Sequence, residues 1–516
     1  MKKTCMQTEK KSLSSHPIVL VVLDGWGIRD EQEHNAIFEA STPFFDSLLC
    51  EYPHSQLDAS SLSVGLPEGQ IGNSEIGHMA IGAGTPIDTD LMRINKAVSR
   101  HEFGSNPVFI ELFEHVKKYN STLHIKGLLS PGGIHSHESH LYEFLRSARD
   151  AGIMKIAIHA FLDGRDVAPQ SAAEYLSKLE DIIDDMGIGH IATASGRFYA
   201  MDRDENWDRI EKVEHAIFEG QGKNHFHDKR ASEVVRHLYK KGIVDEHIEP
   251  IVFLNSEGKS YSLEENDGLF FYNFRADRAR MLTKKTLEYA KEKNIHFVTL
   301  TEYDGNLSCP VAFPSFRPKK TLAGEISRAG LSQVHIAETE KYAHATYFLN
   351  GGRELPHEGE KHILVPSRKV LTHDLAPQMR AKEITDKALE EIERGTDFIF
   401  INYANADMVG HTANTSAIIQ AIEVLDRELR RLLKKIHEKG GFAFITADHG
   451  NAEQNFDPSA HERHTAHTMN LVPAILTKKG YTLQNGTLPD IAPTLLHLMD
   501  LPIPSEMTGK ILTSKR

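Results

Sequence analysis

Ile18-Val19-Leu20-Val21-Val22-Leu23-Asp24-Gly25-Trp26-Gly27 is the stretch on which the fold turns. Its first six residues are apolar and mostly β-branched, with no polar face, which is the pattern of a strand buried on both sides. The run stops on a carboxylate between glycines, so a loop leaves the strand at its carboxyl end. The same grammar returns late in the chain. Phe398-Ile399-Phe400-Ile401-Asn402-Tyr403 leads into Asn405-Ala406-Asp407, and Phe442-Ala443-Phe444-Ile445-Thr446 leads into Asp448-His449-Gly450. Between these two runs, residues 415–437 place Ile418, Ile422, Leu425, Leu429 and Leu432 on one helical face. Strand, helix and strand of this length form a βαβ unit of a parallel sheet. Ligands of such sheets gather beyond the carboxyl ends of the strands, where Asp24, Asp407 and Asp448 fall.

The middle of the chain alternates in the same way. Residues 124–129, 155–161, 189–194, 268–273 and 296–300 read as strands, and a helix is predicted from about Leu141. Candidate ligands lie on both sides of this region. The predicted organisation is therefore a discontinuous first domain, residues 1–88 and 315–516, with a second α/β domain, residues 89–314, inserted into it. Val311-Ala312-Phe313-Pro314 and Phe316-Arg317-Pro318 read as the return linker, and residues 84–90 as the outward one.

Seven side chains at ends and turns suit a pair of transition-metal ions: Asp24, Ser74, Asp407, His411, Asp448, His449 and His467. Carboxylates and imidazoles are ligands for Zn²⁺ or Mn²⁺, and paired ions favour phosphoryl chemistry. Asp407 and His411, four apart, share a face if they lie on a helical turn. Among three nearby histidines, His467 is preferred because it precedes the apolar segment 471–476; His461 and His464 read as solvated, and His78 as structural. Ser74 lies in Gly72-Asn73-Ser74-Glu75-Ile76-Gly77, a predicted helix start, where free N–H groups favour a phosphate. Its bland reading is a helix N-cap; its functional reading is a nucleophile activated by a cation.

The middle region carries Ser130-Pro131-Gly132-Gly133-Ile134-His135, Asp163-Gly164-Arg165-Asp166, Arg197 with Arg203, and Arg275-Ala276-Asp277-Arg278. Each follows a predicted strand. Arginine forks suit carboxylate and phosphate together. Loop-bracing salt bridges are the plain alternative for any one motif, but not for all of them together. Of His135, His137 and His140, one is expected to touch substrate and two to be structural.

Composition agrees. A formal charge of −13 on 516 residues argues against broad nucleic-acid binding. Three separated cysteines, Cys5, Cys50 and Cys309, favour a reducing compartment over a disulfide framework. Met1 to Ser15 reads as a polar leader, and no apolar run is long enough for a membrane span. A cytoplasmic protein without nucleic-acid or membrane partners is expected.

With these motifs in place, the chain resembles the cofactor-independent phosphoglycerate mutases. The resemblance runs from about Ile18 to Gly509. It is carried by Val22-Leu23-Asp24-Gly25-Trp26-Gly27, by Leu66 through His78, by Glu338-Thr339-Glu340-Lys341-Tyr342-Ala343-His344 and by Asn402 through Thr412. It implies an α/β protein in which a discontinuous alkaline-phosphatase-like domain, with a parallel-type sheet, carries an inserted α/β transferase domain. By that resemblance Asp407, His411 and His467 hold one ion, and Asp24, Ser74, Asp448 and His449 the other. Mn²⁺ is favoured, with Zn²⁺ or a close substitute as alternatives. Substrate binding would fall to His135, Arg165, Asp166, Arg197, Arg203, Arg275, Arg278 and Lys341. The implied catalytic residues are Ser74, Asp166 and Lys341. The implied reaction interconverts 3-phosphoglycerate and 2-phosphoglycerate, in glycolysis and gluconeogenesis, through a phosphoserine, in a monomer. Pro131, Thr85 and Leu471 depart from the family pattern. A phosphatase or phosphopentose mutase on the same fold, and a silent metal-binding scaffold, are the rival readings.

Overall fold

The strand Ile18–Leu23 is buried along its whole length in the middle of an eight-stranded sheet. The order is Glu360–Val365, Gln333–Glu338, Phe398–Tyr403, Ile18–Leu23, Phe442–Thr446, Val472–Leu476, His54–Asp58 and Gly486–Thr487. The first five run parallel, and Val472–Leu476 is antiparallel to both of its neighbours. The sheet is thus parallel at its centre and mixed towards one edge. Ile18 pairs with Phe398 and Phe442, so the central strands end in step and deliver their loops to one rim.

The computed structural model describes residues 17–458 and 460–516; the polar leader, Met1 to Ser15, lies outside the described residues. The described residues divide into two compact units. One holds the described part of Met1–Thr89 together with Arg317–Arg516, and the other is Asp90–Phe316.

In the first unit the helix Thr415–Glu438 lays Ile418, Ile422, Leu425, Leu429, Leu432 and Ile436 into the core, each essentially unexposed. Burying each such side chain contributes about 1.5–3 kcal/mol. Asp426 on the same helix accepts from the backbone N–H of Phe45 at 2.7 Å, pinning the start of the helix Pro43–Glu51.

The second unit has its own eight-stranded sheet. Its order is Val311–Phe313, His296–Thr301, Gly268–Phe271, Leu123–Leu128, Ile156–Leu162, His190–Gly196, Ile251–Leu254 and Asn224–His227. Six of these neighbours are parallel pairs, and Ile251–Leu254 runs antiparallel to His190–Gly196. The helix after Leu123–Leu128 is Glu138–Asp150, starting a few residues earlier than its apolar pattern suggests because His137 caps it through Ser139 N. One expectation is corrected. Val311–Phe313, read as linker, is an edge strand paired with His296–Thr301. Three residues show too little alternation to be told from an extended connection, and pairing alone makes them a strand.

Among the described residues, no helix is long and apolar enough to cross a membrane.

Candidate metal centre and arginine cluster

Asp24 follows the strand Ile18–Leu23 directly, and its N–H donates to Tyr403 O at 3.0 Å, so the carboxylate is held at the rim. Gly25 has φ +79°, and a Cβ there would lie 2.6 Å from the Asp407 Cα. Only glycine allows the two loops to come this close. Asp407 lies on the short helix Asn405–Gly410, and His411, the next residue beyond it, places Nε2 3.2 Å from Asp407 Oδ1. The four-residue spacing therefore brings carboxylate and imidazole together. His467 Nε2 approaches the same oxygen at 3.2 Å. Asp448 and His449 follow the strand Phe442–Thr446.

Ser74 is the first residue of the helix Ser74–Ala83, and Asn73 is the cap, accepting from Ile76 N at 3.0 Å. With the cap supplied by its neighbour, the Ser74 hydroxyl is free for other work. Ser74 Oγ lies 3.0 Å from His449 Nε2 and 3.4 Å from Asp24 Oδ1, and it accepts from Lys341 Nζ at 2.7 Å. Lys341 Nζ also pairs with Asp24 Oδ1 and Asp407 Oδ2, each at 2.6 Å.

These donors fall into two groups, Asp407–His411–His467 and Asp24–Asp448–His449, within each of which the ligand atoms lie within 4.8 Å of one another. Three buried carboxylates face a single ammonium. Burial and the Asp448 charge push the Asp24 carboxyl above its ordinary range. Burial also acts to raise Asp407, but Lys341 and the bonds from His411 and His467 outweigh it and hold that carboxyl well below the usual range. Lys341 is kept protonated by the three aspartates despite its burial. Asp448 Oδ2 is buried without a well-aligned hydrogen bond, 3.3 Å from His78 Nδ1 and 3.5 Å from His449 Nε2. Crowded carboxylates, imidazoles and an under-bonded oxygen fit divalent cations. His461 and His464 belong to neither group.

Several side chains around the centre were not singled out in the sequence. Glu453, fully buried, accepts from Gly27 N at 3.1 Å and Asn451 N at 2.8 Å and from the Thr468 hydroxyl, tying three loops together. Asn402 Nδ2 donates to Asp24 Oδ2 at 2.8 Å. Asn451 Nδ2 donates to Asp407 Oδ1 at 2.9 Å. His78, read as structural, has Nδ1 2.8 Å from Ser74 O. Such outer contacts orient ligands. The only sequence signal for Glu453 was its place just after Asp448-His449-Gly450.

In the second unit four loops leave adjacent parallel strands at one end of the sheet. Arg197, almost fully buried, donates from Nη1 to Asp163 Oδ1 and Asp166 Oδ2, each at 2.6 Å. His135 stands 4.0 Å from Asp166 and 3.5 Å from Asp277. Asp277 also pairs with Arg275 at 3.2 Å and Arg203 at 3.3 Å. Arg165 pairs with Glu246, and Arg278 donates to Met201 O at 3.1 Å. Burial, and then the charges of Arg203, Arg197 and Arg165, lower the Arg278 pKa, so these four guanidiniums share one field. Burial, followed by the Arg197 charge, depresses the His135 pKa to about 4. Thus His135, Arg165, Asp166, Arg197, Arg203, Arg275 and Arg278 come together in this unit, while Lys341 belongs to the metal centre. Asp163 and Asp277, which brace the arginines, were not among the predicted site residues. His137 and His140 face Ser139 and Asn95 respectively.

Fold and donors together define a metalloenzyme. The family model described as the Metalloenzyme superfamily matches residues 16–503. Divalent metal use follows from that membership and from the two donor groups. The 2,3-bisphosphoglycerate-independent phosphoglycerate mutase of Francisella philomiragia is 46% identical over 505 residues, covering 96% of this chain and 98% of that protein. The Clostridium botulinum protein of the same name is 46% identical over 510 residues, covering 97% and 100%. A solved phosphoglycerate mutase from Leishmania mexicana is 28% identical with a TM-score of 0.57, covering 98% of this chain and 99% of its own. The chain belongs to the 2,3-bisphosphoglycerate-independent phosphoglycerate mutase family.

Proposed function

We propose that this enzyme interconverts 3-phosphoglycerate and 2-phosphoglycerate through a phosphoserine on Ser74, with two divalent ions and no bisphosphoglycerate. The observation that carries the reading is the position of Ser74 Oγ, 2.7 Å from Lys341 Nζ and 3.0 Å from His449 Nε2, among both donor groups. Asp407, His411 and His467 would hold one ion, and Asp24, Ser74, Asp448 and His449 the other; Mn²⁺ is favoured by the family resemblance, and Zn²⁺ or a close substitute would also suit these ligands. When bound, the ions supply Lewis-acid charge to the transferring phosphoryl and the serine oxygen.

The chain's own residues do the rest. The Ser74 hydroxyl gives up its proton to water as Oγ attacks phosphorus; the bond from phosphorus to the glycerate oxygen breaks, and that oxygen takes a proton from the Asp166 carboxyl. Lys341, held charged by its aspartates, neutralises the equatorial phosphoryl oxygens. The second glycerate hydroxyl then loses its proton, attacks the phosphoserine and releases Ser74. Asp166, held against Arg197 and near His135, is the group proposed to carry the hydroxyl proton. Arg165, Arg197, Arg203, Arg275 and Arg278 recognise the carboxylate and phosphate of the substrate. In this reading residues 1–88 and 315–516 form the phosphatase-like metal domain and residues 89–314 the inserted transferase domain. The enzyme acts as a monomer in the cytoplasm, in glycolysis and gluconeogenesis.

The test is an assay of purified protein with 3-phosphoglycerate and Mn²⁺ and without bisphosphoglycerate. Formation of 2-phosphoglycerate with incorporation of label at Ser74 is expected. Release of inorganic phosphate without isomerisation would replace the mutase reading by a phosphatase one.

A further inference from the structure

A third group of donors lies apart from the metal centre, at the edge of the first unit's sheet. His335 is on the strand Gln333–Glu338, while Glu360 and His362 lie on one face of the neighbouring edge strand Glu360–Val365. Their ligand atoms lie within 4.8 Å of one another. Glu360 Oε1 is 2.6 Å from His362 Nε2 and 3.4 Å from His335 Nδ1. Ligands around a tetrahedral Zn²⁺, at bond lengths of about 2.0–2.1 Å, are spaced at similar distances, so small side-chain shifts would close the set.

The surroundings leave donors over. Asn350 is 3% exposed, donates from Nδ2 to Glu360 Oε1 at 2.7 Å, and has its Oδ1 buried without a partner. His357, whose N–H donates to Glu360 Oε2 at 2.6 Å, has a buried Nε2 that is likewise unpartnered. Buried acceptors without donors are rare and call for an explanation. Among the described residues, the ion pairs of Glu360 are with His335 and His362 only, so no lysine or arginine balances its charge directly. Both His335 tautomers are provided for. Its Nδ1–H donates to Ala345 O at 2.9 Å; ligation through Nδ1 needs the other tautomer, with Nε2–H donating to Gln333 Oε1, now 3.4 Å away, and the ring turned from Ala345 O towards Glu360. Asn350 and His357 also line a neighbouring cleft of about 500 Å³, while His335, Glu360 and His362 lie behind its wall.

We infer that His335, Glu360 and His362 form a further divalent-metal site of the Zn²⁺ type, with Asn350 Oδ1 or His357 Nε2 as an additional donor. Two histidines and one glutamate with neutral imidazoles suit Zn²⁺. The site is independent of the proposed reaction, since it shares no residue with it.

The full-length chain, stripped with chelator and dialysed against Zn²⁺, should retain one equivalent more than either Glu360→Gln or His362→Asn. An Asp407→Asn/Asp448→Asn variant should lose metal at the other centre and keep this equivalent. Equal zinc content in the wild type and in folded His362→Asn would overturn the inference. If Glu360→Gln does not fold, His362→Asn and the wild type decide. Zinc-edge anomalous scattering from wild-type crystals should place a peak between His335, Glu360 and His362, and absence of that peak would overturn it too.

Discussion

Lys341 Nζ stands 2.7 Å from Ser74 Oγ while pairing at 2.6 Å with both Asp24 and Asp407. One ammonium thus holds the hydroxyl in place and offsets the charge of carboxylates that arrive from opposite ends of the chain. Its removal has two separable consequences. Lys341→Met should lower kcat by about 10²–10³-fold, the loss typical of one electrostatic donor at the reacting centre. It should also destabilise the metal-free protein by about 3–5 kcal/mol, because buried carboxylates lose their partner. Divalent cation should recover more of the melting temperature in the variant than in the wild type, as thermal melts with and without metal would reveal.

Ser74→Ala should abolish isomerisation, by roughly 10⁴–10⁶-fold as for other covalent nucleophiles. Folding should be retained, because Asn73 rather than Ser74 caps the helix. Turnover near the wild-type rate, with unchanged circular dichroism, would exclude the covalent route.

Arg275 and Arg197 should part company. Arg275 is half exposed, so Arg275→Ala should raise KM by about 10–100-fold through loss of a charge-assisted hydrogen bond. Its unfolding free energy should change by no more than about 0.5 kcal/mol. Arg197 is buried against Asp163 and Asp166, so Arg197→Met should impair folding as well as binding, at about 3–5 kcal/mol. Steady-state kinetics paired with urea midpoints separates the two cases.

Among the described residues, Lys126 has no ion-pair contact in the core of the second unit, the strongest charge acting on it being that of Glu214. Its Nζ bonds to the Thr286 hydroxyl among Phe271, Phe297 and Phe218. Burial depresses its pKa well below the ordinary lysine value. The unfolded chain therefore binds more protons than the folded one between the lowered value and about 10.4, and stability rises with pH across that window. Comparing urea midpoints at pH 7 and 9, the wild type should gain relative to Lys126→Met, each tenfold difference in proton affinity being worth about 1.4 kcal/mol. Parallel behaviour of the two proteins would show that the amine is not desolvated.

The strands Ile18–Leu23, Phe398–Tyr403 and Phe442–Thr446 were legible because a strand buried on both faces is nearly all apolar. Gln333–Glu338 was not, although every residue of it is buried. Its glutamine, its histidine and one oxygen of its glutamate find polar partners that only the folded chain supplies, and the alternation of Gln333-Val334-His335-Ile336 is too brief to mark a strand. The polar strand His54–Asp58, flanked by Val472–Leu476 and the two-residue edge strand Gly486–Thr487, escaped for the same reason. Of the site, residues that stop strands or open helices could be read. Glu453, Asn402, Asp163 and Asp277 could not, since each acts by holding another side chain or a loop, and local sequence carries no sign of that.

The sequence by itself determined the α/β class, the parallel βαβ core and the types of donor available, because hydrophobic run length, helical spacing and ligand chemistry are local properties. Tertiary structure alone decided that Lys341 reaches Ser74, that Asn73 caps the helix and leaves Ser74 free, and that His335, Glu360 and His362 form a cluster. Those are distances set by strand order and register, and pairing in a sheet joins residues with no regard to their separation along the chain.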